Sequence, residues 1–117
     1  MDCWKESRKL RLFVVKEVVP LLSSEEKYRL ADQVIRAARS TTANIAEGYG
    51  RYHYADNSKF CSNARGSAYE VLDHLIAASD EGMINESLLK RGREQVQICV
   101  KLINGYRSYL KRAAQKK

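Results

Sequence analysis

Residues 28–54, YRLADQVIRAARSTTANIAEGYGRYHY, decide how this chain folds. Tyr28, Ala31, Ile35, Ala38, Thr42, Ile45 and Tyr49 recur at alternating steps of three and four, the spacing of a helix seam in a left-handed bundle. The small Ala38 and Thr42 let a neighbouring helix come close. Upstream, Ser23 with Glu26 three residues on reads as a capping box that starts the helix at about 24. Gly48 and Gly50 read as the release of the helix, so that RYHY at 51–54 becomes a corner. Tyr49 is expected to pack rather than bind.

The same reading extends in both directions. Leu10, Phe13, Val14, Val18, Leu21 and Leu22 share a face of a first helix over about 4–22, and Pro20 is expected to kink its last turn. The second helix runs 24–49. A third, 56–80, opens with Asp56 as N-cap, buries Phe60, Ala64, Ala68, Val71, Leu72 and Leu75, and closes at SDEG, 79–82. A fourth, 85–114, opens at Asn85 and buries Leu89, Gly92, Val96, Cys99, Ile103, Tyr106 and Leu110. Short connections make neighbours antiparallel. The expectation is an all-α, up-down-up-down four-helix bundle in one domain, residues 1–117.

Composition agrees and narrows the chemistry. With 44% hydrophobic and 30% charged residues and one proline, the chain is globular and helix-rich. No apolar run is long enough for a membrane span, and the charged N-terminus does not read as an export signal, which points to the cytoplasm. Cys3, Cys61 and Cys99 are odd in number and lack any CxxC pair, against both zinc and disulfides. A di-iron bundle needs paired Glu-x-x-His motifs, yet Glu70 and His74 are four apart with no second copy. A helical ribonuclease of the HEPN type requires a particular Arg–His spacing; Arg51 and His53 are two apart, Arg65 and His74 nine, and neither fits. No catalytic residue, metal or cofactor is expected. His74 reads as a structural histidine.

The net charge of +7 is unevenly placed. Residues 1–23 carry five basic and three acidic side chains, and residues 80–117 carry nine and four, whereas the middle is balanced. Antiparallel topology puts Lys5, Arg8, Lys9, Arg11, Arg51, Arg107, Lys111, Arg112, Lys116 and Lys117 at one pole, and Glu25, Glu26, Asp80, Glu81 and Glu86 at the other. Such segregation favours phosphate binding, with Tyr52, Tyr54, Tyr106 and Tyr109 available to stack on unpaired bases. Macrodipole preference for cations at helix C-termini is the bland alternative.

RAARSTTANIAEGYGR (36–51), followed by FCSNARGSAYEVLDHLIAASDEGMI (60–84), resembles the four-helix-bundle family of 23S rRNA intervening-sequence proteins. That family pairs an N-I-A-E-G block with a G-S-x-x-E block. The resemblance marks Asn44, Glu47 and Gly48, with Glu70, as motif residues. It implies a homopentameric barrel of bundles and no enzymatic activity. One branch is the accessory variability determinant of diversity-generating retroelements, a basic protein that binds RNA and the element's reverse transcriptase, and RYHY…FCSNARGSAYE resembles that branch.

The expected function is therefore a non-enzymatic, RNA- or DNA-binding accessory protein, partner of a reverse transcriptase, acting through Lys5, Arg8, Lys9, Arg11, Arg51, Arg107, Lys111 and Arg112. The alternative is a structural or protein-interaction module encoded in a 23S rRNA intervening sequence. A second stripe on the fourth helix, Leu88, Gln95, Leu102 and Tyr109, is open for subunit contacts. Facing residues of the second and third helices should sum to about 106, which sets Arg36 opposite Glu70 and Glu47 opposite Lys59. These pairs are expected to be partly buried and to fix the hairpin's register.

Overall fold

A computed structural model of the chain describes residues 1–26 and 28–116. Four long helices dominate it: α1, Asp2–Phe13; α2, Leu30–Tyr49; α3, Tyr54–Asp80; and α4, Glu86–Gln115. No strand occurs among the described residues. Helix α2 packs on α3, α3 on α4, and α1 chiefly on α4 and α2, which closes an antiparallel bundle around one core. Leu10, Ile45, Leu75, Ile103 and Leu110 are its largest fully buried side chains.

The first helix does not run unbroken to residue 22. After Phe13 it widens into a π-helical stretch, Val14–Val18, and tightens into a 3-10 turn, Val19–Leu21. Pro20 has no N–H to give the Lys16 carbonyl, and its ring crowds that carbonyl. The chain switches hydrogen-bond pattern upstream of it, with Val19 N–H reaching back to the Val14 carbonyl. Val14 and Val18 stay buried through the switch, whereas Leu21 ends 54% exposed.

The second helix starts at Leu30, not 24. Ser24–Glu26 is a separate 3-10 turn in which Glu26 N–H donates to the Ser23 carbonyl at 3.0 Å, so the capping box caps nothing. Ser24, Glu25 and Tyr28 are exposed and offer no apolar anchor, and an unanchored first turn does not repay its nucleation cost. The buried face of α2 is Leu30, Ala31, Val34, Ala37, Ala38, Thr41, Thr42, Ile45 and Gly48. Tyr28 and Tyr49, the expected ends of the seam, are 85% and 68% exposed. Tyr49 does not pack.

Neither Gly48 nor Gly50 is there to unwind the helix. Gly50 caps α2 at an ordinary φ of −77°, and Gly48 lies inside the helix. Gly48 serves close approach: a Cβ there would stand 2.6 Å from Asn57 Oδ1 and 2.8 Å from Phe60 Cβ. The N-cap of α3 is His53, and Asp56 falls in its first turn instead. At the far end Gly82, φ 77°, closes α3 with Gly82 N–H on the Ser79 carbonyl and Met83 N–H on Ala78, a Schellman arrangement. Asn85 caps α4 as expected, accepting from Leu88 N–H at 2.8 Å.

The hairpin's register is close to that read from the corner, because Ser40 and Ser67 share a hydroxyl hydrogen bond of 2.8 Å and Gly48 abuts Asn57 and Phe60. The expected ion pairs are absent. Arg36 pairs with Asp32, Glu47 with Arg51 and Glu70 with His74, each one turn along its own helix or its end. Register fixes height along a helix but not rotation about it, and these charges point outward; Lys59 is likewise exposed. Glu47 and Glu70 are more than half exposed and do not hold the hairpin. Asn44 acts within α2, donating through Nδ2 to the Ser40 carbonyl and to the Ser40 Oγ that meets Ser67, both at 2.9 Å.

Candidate nucleic-acid interface

The corner at residues 50–53 brings the start of α3 beside the last turns of α4. On α3, Tyr54, Ser58 and Arg65 step along one face; on α4, Asn104, Arg107 and Lys111 do the same. They line an open groove of about 570 Å³, and no Asp or Glu among the described residues lines it. Arg107 donates from Nε to Ser58 Oγ at 3.2 Å, and Arg65 from Nη1 to Asn104 Oδ1 at 2.8 Å. Both partners are neutral. They aim the guanidinium groups without cancelling their charge, which leaves the remaining N–H donors for an anion.

Of the eight cations expected to bind nucleic acid, only Arg107 and Lys111 line this groove. Arg112 is exposed on α4 outside its lining. Arg51 is held at the corner by Glu47, 2.8 Å away, and lies 4.8 Å over the Phe60 ring. Lys9 pairs with Glu6 at 2.7 Å, and Arg11 donates to Thr42 Oγ1 on α2 at 2.9 Å. Lys5 and Arg8 are exposed on α1. Helix α1 packs on α2 and α4 and leaves α3 to them, so its cations sit on another face. A second hollow, between α1 and α4, has mixed charge: Lys9 and Arg91 face Glu17 and Glu94. Lys116 is exposed, and Lys117 lies outside the described residues.

Arg65 escaped the sequence reading because it belongs to a charge-balanced stretch. The tyrosines also divide. Tyr106 is partly buried and accepts from Asn57 Nδ2 at 2.9 Å, and burial raises its pKa against the lowering effect of that bond. Tyr109 stacks beside it at 6.2 Å between ring centroids. Tyr52 is 94% exposed at the corner. The second stripe of α4 is mostly occupied within the chain, since Leu88 and Leu102 pack on the core and Gln95 Nε2 donates to the Glu6 carbonyl at 2.8 Å.

A family model described as the 23S rRNA-intervening sequence protein matches residues 1–105. The chain belongs to that family. The intervening-sequence match spans all of α1 to α3 and most of α4, including Arg65 and Asn104 but stopping short of Arg107 and Lys111. Among solved structures, the intervening-sequence chain is similar to a protein of unknown function from the S23 ribosomal protein family of Bacteroides thetaiotaomicron. That likeness has a TM-score of 0.80 at 18% identity and covers 89% of this chain and 96% of the other. It shows the four-helix fold. No curated protein matches. No helix among the described residues of this intervening-sequence family member is long and apolar enough to cross a membrane.

Proposed function

We propose that the chain is a non-enzymatic RNA-binding accessory protein that grips phosphates in the groove between α3 and α4. One observation carries the reading: Arg65, Arg107 and Lys111 converge there, the two arginines on neutral hydrogen-bond partners, with no carboxylate among the described lining residues. Charge held in this way attracts any phosphate backbone without reading its sequence, and affinity falls steeply with salt. Within the same proposal the protein works as a homopentamer and as partner of a reverse transcriptase in a diversity-generating retroelement; the RYHY…FCSNARGSAYE wording supports that branch. The family match supports the rival, a structural module of a 23S rRNA insertion without a nucleic-acid role. A reverse transcriptase and template repeat beside the gene favour the first; flanking 23S rRNA favours the second.

The test is a filter-binding titration over a range of salt with the triple variant Arg65→Gln, Arg107→Gln, Lys111→Gln. Expected are weaker binding to unrelated RNAs alike and a shallower salt slope, by about 0.7 for each single-strand phosphate that the variant no longer neutralises. Arg112→Gln, outside the lining, should matter less. Equal affinity of triple variant and parent removes the groove from consideration.

A further inference from the structure

The groove does not end at Tyr54. A further hollow of about 420 Å³ opens around the corner, lined by Tyr52, His53, Tyr54, Ala55 and Ala114. Tyr54, Ala55 and Ala114 line both spaces, so the two adjoin. Their chemistry differs along the way. The α3/α4 portion is cationic and hydroxyl-rich, whereas the corner portion is walled by three rings and two methyl groups. Tyr52 and His53 stand edge to face, 5.5 Å between ring centroids, with the Tyr52 ring open to solvent.

We infer that the two adjoining hollows together take an unpaired nucleotide segment, its phosphates lying along Arg107, Lys111 and Arg65 and a base entering the ring-lined hollow at Tyr52 and His53. The inference rests on the reading of the α3/α4 groove as a phosphate site and adds which state of the nucleic acid it takes. The spacing fits a strand. Arg107 and Lys111 are one helical turn apart, about 6 Å along α4, comparable with the step between successive phosphates. A duplex presents phosphates but keeps its bases stacked inside, so it can satisfy the groove and leaves the rings unused. A single strand satisfies both, because every base has a face to stack and the aromatic contact is indifferent to sequence. Exposed aromatic surface beside uncompensated cations is the combination that separates strand binding from simple polyanion binding.

The experiment compares a uridine dodecamer with an RNA duplex of the same length, by fluorescence anisotropy at low salt, for the parent, Tyr52→Ala and Tyr52→Phe. Tyr52 is almost fully exposed, so neither substitution disturbs the core. The single strand should bind the parent more tightly than the duplex. Tyr52→Ala should lose roughly tenfold on the single strand and little on the duplex, and Tyr52→Phe, which keeps the ring, should restore the parent value. A parent that favours the duplex, or a Tyr52→Ala variant that binds both RNAs as the parent does, overturns the inference and leaves the phosphate groove standing. Failure of the parent to bind either RNA overturns the groove reading as well.

Discussion

Asn57 reaches across from α3 to donate its amide to the Tyr106 phenol on α4, 2.9 Å away, and in the same place its own backbone and side chain abut Gly48 of α2. Three helices meet at one 5%-exposed asparagine. Tyr106→Phe removes the acceptor and leaves a buried amide without it, which costs about 1–3 kcal/mol. A urea titration should show that loss with the m-value unchanged; a midpoint equal to the parent's means water replaces the phenol.

Two glycines should respond to alanine with opposite signs. At Gly48 the added methyl meets Asn57 and Phe60 at under 3 Å, and overpacking of this kind costs about 1–3 kcal/mol. At Gly66, in the middle of α3, nothing lies within 4 Å, so Gly66→Ala gains roughly 0.5–1 kcal/mol of helix propensity. Thermal melts of the two variants check this directly.

Glu47 and Glu70 look like hairpin fasteners in the sequence and are surface pairs in the fold. Each sits more than half exposed in an i,i+4 contact, Glu47 with Arg51 and Glu70 with His74. Glu47→Gln and Glu70→Gln should each shift stability by only about 0–1 kcal/mol. Should either lose RNA binding while melting like the parent, that carboxylate belongs to a site.

The buried thiols set an alkaline limit. Burial pushes Cys61 and Cys99 up to about 11 from 9.0, and Tyr106 moves the same way. A folded-state pKa above the unfolded one means that the native chain keeps its proton longer. Stability is therefore fully present below about pH 9 and is lost as pH rises through about 11. Urea midpoints across that window should fall, and fall less in the Cys61→Ala, Cys99→Ala variant. Native protein should also react slowly with a thiol reagent, since all three cysteines are buried.

Periodicity carried the helices and most of the core, because Val96, Cys99, Ile103 and Leu110 can be buried together only on a helix. It misplaced Tyr28 and Tyr49, since a seam counted in steps of three and four does not say where burial stops. It missed the π-helical stretch, where Pro20 acts on residues before it in a way no local pattern of valines reveals. Of the candidate site, Arg107 and Lys111 were legible from charge bias at the chain's end. Arg65 was not, because its membership depends on how α3 is rotated against α4, a property of packing. Of the ring-lined hollow, Tyr52 and Tyr54 were legible as stacking residues, whereas its closure by Ala114 from the far end of α4 was not.

The near-contact at Gly48 also bears on the order of assembly. The chain returns from α2 to α3 over residues 50–53 alone, and Gly48 lets Asn57 and Phe60 close in just across that short loop. The contacts that seat α1 and the π-helical stretch after it on α4, Gln95 with Glu6 and Arg91 with Glu17, close loops of 89 and 74 residues. Loop closure of that length is slow to be repaid, and local pairing comes first. The α2/α3 hairpin should therefore form before α1 seats on α4. In a chevron plot, damage at Gly48 should appear in the refolding limb and damage at Gln95 in the unfolding limb.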